Sequence, residues 1–229
     1  MKILHTKIHA FDVEYTNREE FKLLCDEIFN KGIYNIKLNK KPNIIDTGAH
    51  IGLATLYFKS KYPDAYIIAF EPNPNIFPIL EENMSYNGIN NVELYNIALG
   101  KKEEVRTFYI DNTGNDWFST SGFIKNSWKH IQRTVDIKVK VDKLSKYIRG
   151  SVDLLKMDIE GAEGEVLEEL DRAKKLKDIK NIIIEFHPVD NKKPNNILKI
   201  LKSNGFDVVL RKDPLGDELI DIKGSKTTA

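Results

Sequence analysis

Asn43-Ile44-Ile45-Asp46-Thr47-Gly48-Ala49-His50-Ile51-Gly52 decides the fold of this chain. A short apolar run ends in an acid and a glycine turn follows. Ile51, Leu53, Ala54, Leu56, Tyr57 and Phe58 then open a helical pattern. Gly48 supplies a turn that a residue with a Cβ would strain, and Gly52 lets the new helix approach the strand or a ligand closely. Backbone N–H groups at a helix start lack partners within the helix, so they are available to a ligand. The stretch reads as a cofactor-binding strand–loop–helix.

From there outward, strand and helix signals alternate, which predicts an α/β fold with a mostly parallel sheet. Residues 65–70 form the second strand, stopped by Glu71-Pro72; Asn73 then caps a helix with Pro74 at its first position, and Gly88 ends it. Residues 91–99 make a third strand, and 152–157 and 182–186 two more, with helices from Gly161 and over 195–204 between them. The pair 206–210 and 218–222, around Asp213-Pro214-Leu215-Gly216-Asp217, reads as an antiparallel hairpin. Residues 101–150 break the rhythm: 105–110 and 136–141 are strand-like, but 111–125 is a polar, Gly- and Ser-containing insertion of the kind that carries function or is disordered. Residues 1–42 form a short helical extension. Thr16-Asn17-Arg18-Glu19 matches a capping box, and Phe21, Leu24, Cys25, Ile28 and Phe29 recur at helical spacing up to Gly32. Too small for its own core, this extension should pack on residues 43–223 and can cover the cofactor or substrate. Residues 224–229 are expected to be a disordered tail.

A length of 229 residues suits one domain with modest additions, and a net charge of +1 without a basic block gives no argument for an obligatory nucleic-acid partner. No apolar run is long enough to span a bilayer, and no secretory leader is visible. The single cysteine, Cys25, cannot pair internally and sits on the apolar face of a helix, so it reads as packing in a reducing, cytoplasmic setting.

A dinucleotide fold would place G-x-G-x-x-G at the first turn. This chain has Gly48-Ala49-His50-Ile51-Gly52, and Asp46 precedes the loop as if an ammonium or hydroxyl must be met there instead of a phosphate. Glu71, at the tip of the second strand, is placed to accept from both hydroxyls of a ribose. Read blandly, Asp46 is a helix cap and Glu71 a solvated strand end. An adenosine cofactor without a pyrophosphate satisfies both positions at once, and S-adenosyl-L-methionine is such a molecule.

Five blocks in order carry a resemblance: Asp46-x-Gly48-Ala49-x-Ile51-Gly52, Ala69-Phe70-Glu71-Pro72-Asn73-Pro74, Asn96-Ile97-Ala98-Leu99-Gly100, Leu155-Lys156-Met157-Asp158-Ile159-Glu160-Gly161-Ala162-Glu163 and Ile184-Glu185-Phe186-His187. From about residue 44 to 210 the chain resembles the FkbM family of S-adenosylmethionine-dependent methyltransferases. The resemblance implies a Rossmann-like class I fold, a seven-stranded sheet with an antiparallel last strand and helices on both faces. It implies O-methylation of a hydroxyl on a small molecule or sugar. It places Asp46, Gly48, Ala49 and Gly52 in the cofactor loop, Glu71 at the ribose, Pro72 and Asn73 beside the adenosine, and Ala98 and Leu99 along the adenine edge. Thr47 and His50 fall at positions that vary in the family, and neither carries a reading.

Asp158, Glu160 and His187 all follow strands and should converge on the sulfonium and the acceptor. Asp158 or Glu160 can stabilise the cationic donor or take the acceptor proton. His187 can act as a general base, with Glu185 orienting its imidazole. Asp158, Glu185 and His187 could together hold a divalent cation, as in metal-dependent catechol methyltransferases, but no metal-type spacing backs the set and no metal is expected. Trp117, Phe118, Ser119, Ser121, Trp128 and His130 suit an acceptor wall for a polyhydroxylated ligand. The expected partner is a small hydroxylated acceptor, possible as a sugar, with a homodimer left open. A nicotinamide-dependent oxidoreductase is the first rival and lacks its glycine fingerprint. The second, a non-catalytic adenosyl-binding or scaffold protein, is disfavoured by Asp46, Glu71, Asp158, Glu160 and His187, which a bare scaffold does not need.

Overall fold

Residues 4–15 fold into a hairpin, β1 (Leu4–Ile8) against β2 (Phe11–Tyr15), in register from Leu4 opposite Tyr15 to Ile8 opposite Phe11. The N-terminal extension is therefore not only helical as expected. Its turn carries His9 at φ 52° in place of the usual glycine or asparagine. Helix α1 (Arg18–Cys25) follows, and Asn17 rather than Thr16 caps it: its side chain accepts from the N–H groups of Glu19 at 2.8 Å and Glu20 at 3.0 Å. A π-helical turn over Asp26–Lys31 continues it, and Gly32 at φ 63° stops it. Cys25 is half-buried against the core, and burial pushes its thiol pKa up to about 12, so it packs rather than reacts.

The computed structural model describes residues 2–111, 118–125, 134–187, 194–212 and 220–226. Beyond the extension the order is β3 (Asn43–Thr47), α2 (Leu53–Lys61), β4 (Tyr66–Phe70), α3 (Phe77–Tyr86), β5 (Val92–Tyr95), β6 (Ala98–Leu99), β7 (Glu104–Asp111) and β8 (Thr134–Asp142). The chain then runs through β9 (Leu154–Met157), α4 (Glu163–Arg172), β10 (Asn181–Phe186), α5 (Asn195–Ser203), β11 (Phe206–Lys212) and β12 (Ile220–Lys226). Seven strands form the main sheet in the order β11-β12-β10-β9-β3-β4-β5. The pairs β9–β3, β3–β4, β4–β5 and β9–β10 are parallel, and β12, the last strand, is antiparallel to both its neighbours. The succession moves outward from β3 through β4 to β5, then resumes at β9 on the other side. Strand direction in sequence thus reverses between β3 and β9, the switch point at which open α/β sheets bind ligands.

Both faces of the sheet are buried, which is why its strands read as continuous apolar runs. In β3, Ile44 joins the core that contains α2, α3 and the N-terminal extension, while Ile45 joins the core around α4 and α5. In β4, Ile67 and Ala69 go to the first core, Ile68 and Phe70 to the second. A separate three-stranded sheet, ordered β6-β8-β7, joins Ala98–Leu99 to two strands of the 101–150 region.

Three local expectations are corrected. Helix α3 begins a turn later than expected, because Asn73 spends its side chain on the N–H of Asn75 at 3.0 Å, and Ile76 occupies the cap. The third strand is split, since Asn96 turns its side chain back to the carbonyl of Glu71 at 2.8 Å, and Ala98–Leu99 leaves the main sheet to pair with β8. Residues 224–226 are not tail but strand, with Gly224 packed so closely that a Cβ would meet Ile182 at 2.9 Å.

Asn83 on α3 fastens the hairpin to the domain. Fully buried, it accepts from Glu14 N at 2.7 Å and donates to the carbonyls of Glu14 at 3.0 Å and Ile51 at 2.8 Å. Asn83→Ala should lower unfolding stability by ~1–3 kcal/mol, as expected for stranded buried polar groups. Hydrogen exchange should report it first at the Glu14 amide, and unchanged protection there would remove this anchor.

Candidate active site

Loop 48–52 leaves β3 at the switch point, and its amides are used within the protein. Gly48 N and Ala49 N both donate to Phe70 O, at 3.0 and 2.9 Å, Gly52 N donates to Ala49 O at 2.8 Å, and His50 N donates to Glu71 Oε2 at 2.9 Å. The expectation of loop amides left open to a ligand is corrected at these four residues: the loop offers shape more than donors. Gly48 is required by its φ of 77° and by space, because a Cβ would lie 1.7 Å from the carbonyl oxygen of Asp158. Gly52, at φ 93°, faces α3 rather than the crevice, and a Cβ there would meet Leu80 and Met84, each at 2.8 Å.

Beneath the loop lies a buried cation to which the sequence motifs assign no role. Lys156 in β9 donates to Gly48 O at 2.6 Å and stands 3.2 Å from Asp46 Oδ1 and 3.7 Å from Asp158 Oδ2. Burial opposes its charge, but Asp46 and Asp158 outweigh it and hold the ammonium pKa above its ordinary value. Asp46 is fully buried, and its other oxygen accepts from Thr55 Oγ1 at 2.8 Å. Asp46 therefore anchors the loop from below, away from the crevice wall. One charged residue amid Leu154, Leu155 and Met157 was the signal available in the sequence.

The crevice holds about 830 Å³, counting the open space at its mouth. Gly48, Ala49, Glu71 and Pro72 line one part, Ala98 and Leu99 another, and Asp158 and Glu160 a third. Glu71 is buried, with Oε1 accepting from Asn73 N at 2.8 Å and Oε2 from His50 N. Burial pushes its pKa up to about 7, against those two backbone bonds and the Lys156 charge; Asp46 adds to the rise. Leu24, Ile28 and Tyr34 of the extension and Phe108, Phe118 and Phe123 of the 101–150 region close the remaining wall, with Ser119 and Ser121. Glu20 of α1 accepts from Ser119 N at 2.7 Å and so ties extension to insertion. Trp117, Trp128, His130 and Pro188 lie outside the described residues.

His187 stands behind the wall and not on it. Its Nδ1 is 3.0 Å from Glu163 Oε1, and its Nε2 is 3.5 Å from Glu160 Oε2 and 3.8 Å from Glu185 Oε1. Burial works against a charge here, but the three glutamates prevail and set the imidazole pKa well above its ordinary value. Three carboxylates around one ring favour its protonated form. Glu160 has φ 53° and is packed under Gly122, where a Cβ would meet Glu160 O at 2.8 Å. His50 also faces the crevice. Burial pulls its pKa down, and neither ring nitrogen has a hydrogen-bond partner among the described residues.

Two outcomes follow from these charges. Lys156→Met should cost ~3–5 kcal/mol in urea unfolding, because it leaves Asp46 buried and unpaired. Adding Asp46→Asn to that variant should restore part of the loss, and strictly additive losses would mean the two groups do not interact. A ligand that donates hydroxyls to Glu71 favours its carboxylate and so lowers its pKa. S-adenosylhomocysteine affinity should therefore rise with pH, level off above about 7, and be up to about tenfold weaker one pH unit below that. In Glu71→Gln this step should vanish from calorimetric titrations, and its persistence would assign it to another group.

A family model described as the methyltransferase FkbM domain matches residues 46–208. "Methyltransferase 1" of Beauveria bassiana is 31% identical over 211 residues, covering 84% of this chain and 84% of that protein. "2-O-methyltransferase NoeI" of Sinorhizobium fredii is 26% identical over 147 residues, covering 58% of this chain and 59% of its own length. Among solved structures, methyltransferase FkbM from Methylobacillus flagellatus aligns with a TM-score of 0.58 at 13% identity, covering 86% of this chain and 47% of that one. That likeness bears on the fold alone, and it agrees with the Rossmann-like sheet described above. By the match across most of its length, this chain belongs to the FkbM family of methyltransferases.

Proposed function

We propose that this methyltransferase uses S-adenosyl-L-methionine to methylate a hydroxyl of a small polyhydroxylated acceptor. The observation that carries the reading is Glu71: a carboxylate at the tip of β4, fixed by two backbone N–H groups and facing the crevice. Each of its oxygens keeps a second lone pair for a ribose hydroxyl. Ala98, Leu99 and Pro72 supply the apolar wall that an adenine ring needs. When bound, the cofactor supplies a methyl group made electrophilic by its sulfonium.

The chain's own part is to orient the acceptor, exclude water and receive a proton. Holding the reactants at near-attack distance is the larger contribution to such a displacement. Phe108, Phe118 and Phe123 on the insertion side and α1 on the other wall shield the crevice. The buried Ser121 Oγ and the His50 ring nitrogens have no hydrogen-bond partner among the described residues, and hydroxyls of the acceptor would satisfy them. The acceptor proton passes to a crevice carboxylate, Asp158 or Glu160, while His187 positions Glu160 from behind. The name of the Sinorhizobium relative supports transfer to oxygen.

Calorimetry with S-adenosylhomocysteine and with NADH tests the cofactor. S-adenosylhomocysteine should bind and NADH should not. Glu71→Ala should weaken binding by about tenfold or more, as loss of charge-assisted hydrogen bonds does. NADH binding alone, or an unaltered affinity in that variant, would overturn the ribose assignment.

A further inference from the structure

We propose that Asp158, Glu185 and His187 form a divalent-cation site at the tips of β9 and β10. One donor atom from each lies within 4.8 Å of the other two. Parallel pairing brings them there: Ile184 lies opposite Met157, so the residues just beyond each strand register face one another at the same end of the sheet. No motif spacing betrays this in the sequence, because the donors come from two strands.

Three independent features point to an ion. The first is the orientation of His187. Glu163 Oε1, 3.0 Å from Nδ1, also accepts from Gly161 N at 3.0 Å, so the carboxylate is fixed and the ring with it. A carboxylate on one ring nitrogen that aims the other at the donor cluster is the usual outer shell of a metal-binding histidine. The second is spacing. Nε2 stands 3.5 Å from Glu160 Oε2 and 3.8 Å from Glu185 Oε1, beyond the ~2.7–2.9 Å of a strong charge-assisted hydrogen bond. Donors bound at about 2.1 Å to one octahedral ion lie roughly 3–4 Å apart, so a small closure of the side chains would seat it.

The third is charge. Asp158, Glu160, Glu163 and Glu185 gather around His187 and Lys156. Lys156 is committed more closely to Gly48 O and Asp46 than to Asp158. Among the described residues these four carboxylates face the two cations, a balance that a dication would suit. Two carboxylates with one imidazole suit Mn²⁺ or Mg²⁺, with remaining positions open to water or an acceptor hydroxyl. His187 ligates as the neutral imidazole, its Nε2 proton leaving to solvent. Asp158 lines the crevice, so the ion lies beside the acceptor and lowers the pKa of a coordinated hydroxyl. That last consequence rests on the methyl-transfer reading; the binding site does not.

The test is titration of the EDTA-treated full chain with Mn²⁺, read by the electron paramagnetic resonance signal of the free ion. One saturable site is expected, competed by Mg²⁺ and weakened about tenfold or more in Glu185→Gln and in Asp158→Asn. The absence of saturable binding to the wild-type protein, or equal binding by both variants, would overturn the proposal. Calorimetry of S-adenosylhomocysteine on the same EDTA-treated wild type and Glu185→Gln should give affinities within about twofold of each other, which shows that the variant is folded. It also separates failure of the cation site from failure of the methyltransferase reading, since lost cofactor binding with intact Mn²⁺ binding would strike only the latter.

Discussion

The buried ammonium of Lys156 is the contact on which the crevice depends. It lies where β9 passes under the turn leaving β3, and it holds the Gly48 carbonyl and the Asp46 carboxylate at one point. Without it Asp46 would be an isolated charge in the interior, which is costly in any protein. With it, the loop can turn tightly enough that Gly48 touches the backbone of Asp158, closing the switch point of the sheet from below. The acids of the first two family blocks, Asp46 and Glu71, therefore have different tasks. Asp46 builds the floor, and Glu71, at the neighbouring strand tip, faces the crevice.

This division explains an imbalance in the site. Among the described residues, Asp158, Glu160, Glu163, Glu185 and Glu71 stand around the crevice and just behind it, with Lys156 and His187 as cations beside them. Such an environment favours cationic ligands and stabilises positive charge near the acceptor. A sulfonium donor and a divalent ion are both of that kind. Selection for anionic cofactors would require the reverse, with loop amides left open, and here four of those amides are spent on Phe70, Ala49 and Glu71.

The main sheet was legible because its signals are local. Asp46 through Gly52 marks a turn that needs glycine at positions 48 and 52, and the apolar runs of β3, β4, β9 and β10 are long enough for strands with two buried faces. The N-terminal hairpin was hidden for a physical reason. Phe11, Val13 and Tyr15 do alternate, but the turn before them is His9-Ala10, without the glycine or asparagine that usually marks a hairpin. The helical pattern after Asn17 was stronger, and it set the expectation for the whole extension. The split of the third strand at Asn96 was likewise invisible, since it depends on a side chain reaching the Glu71 carbonyl.

The placement of the candidate site residues was legible in the sequence, and the surroundings of each group were not. Sequence order brings Asp158, Glu160 and His187 to one end of the sheet, and the structure agrees. It cannot say how many carboxylates surround an imidazole, and that number sets the direction in which the ring's pKa moves. Glu160 and Glu163 contribute most to that rise, and Glu163 is the one in hydrogen-bond contact with the ring. In the chain it looks like an ordinary acid at the start of α4, where helix termini favour negative charge. Folded, it is fully buried and bound to His187, so the same helix start that it stabilises also fixes the imidazole. A group placed by local rules thus sets the chemistry of a site assembled from distant ones, and only the fold reveals that the two requirements meet in one side chain.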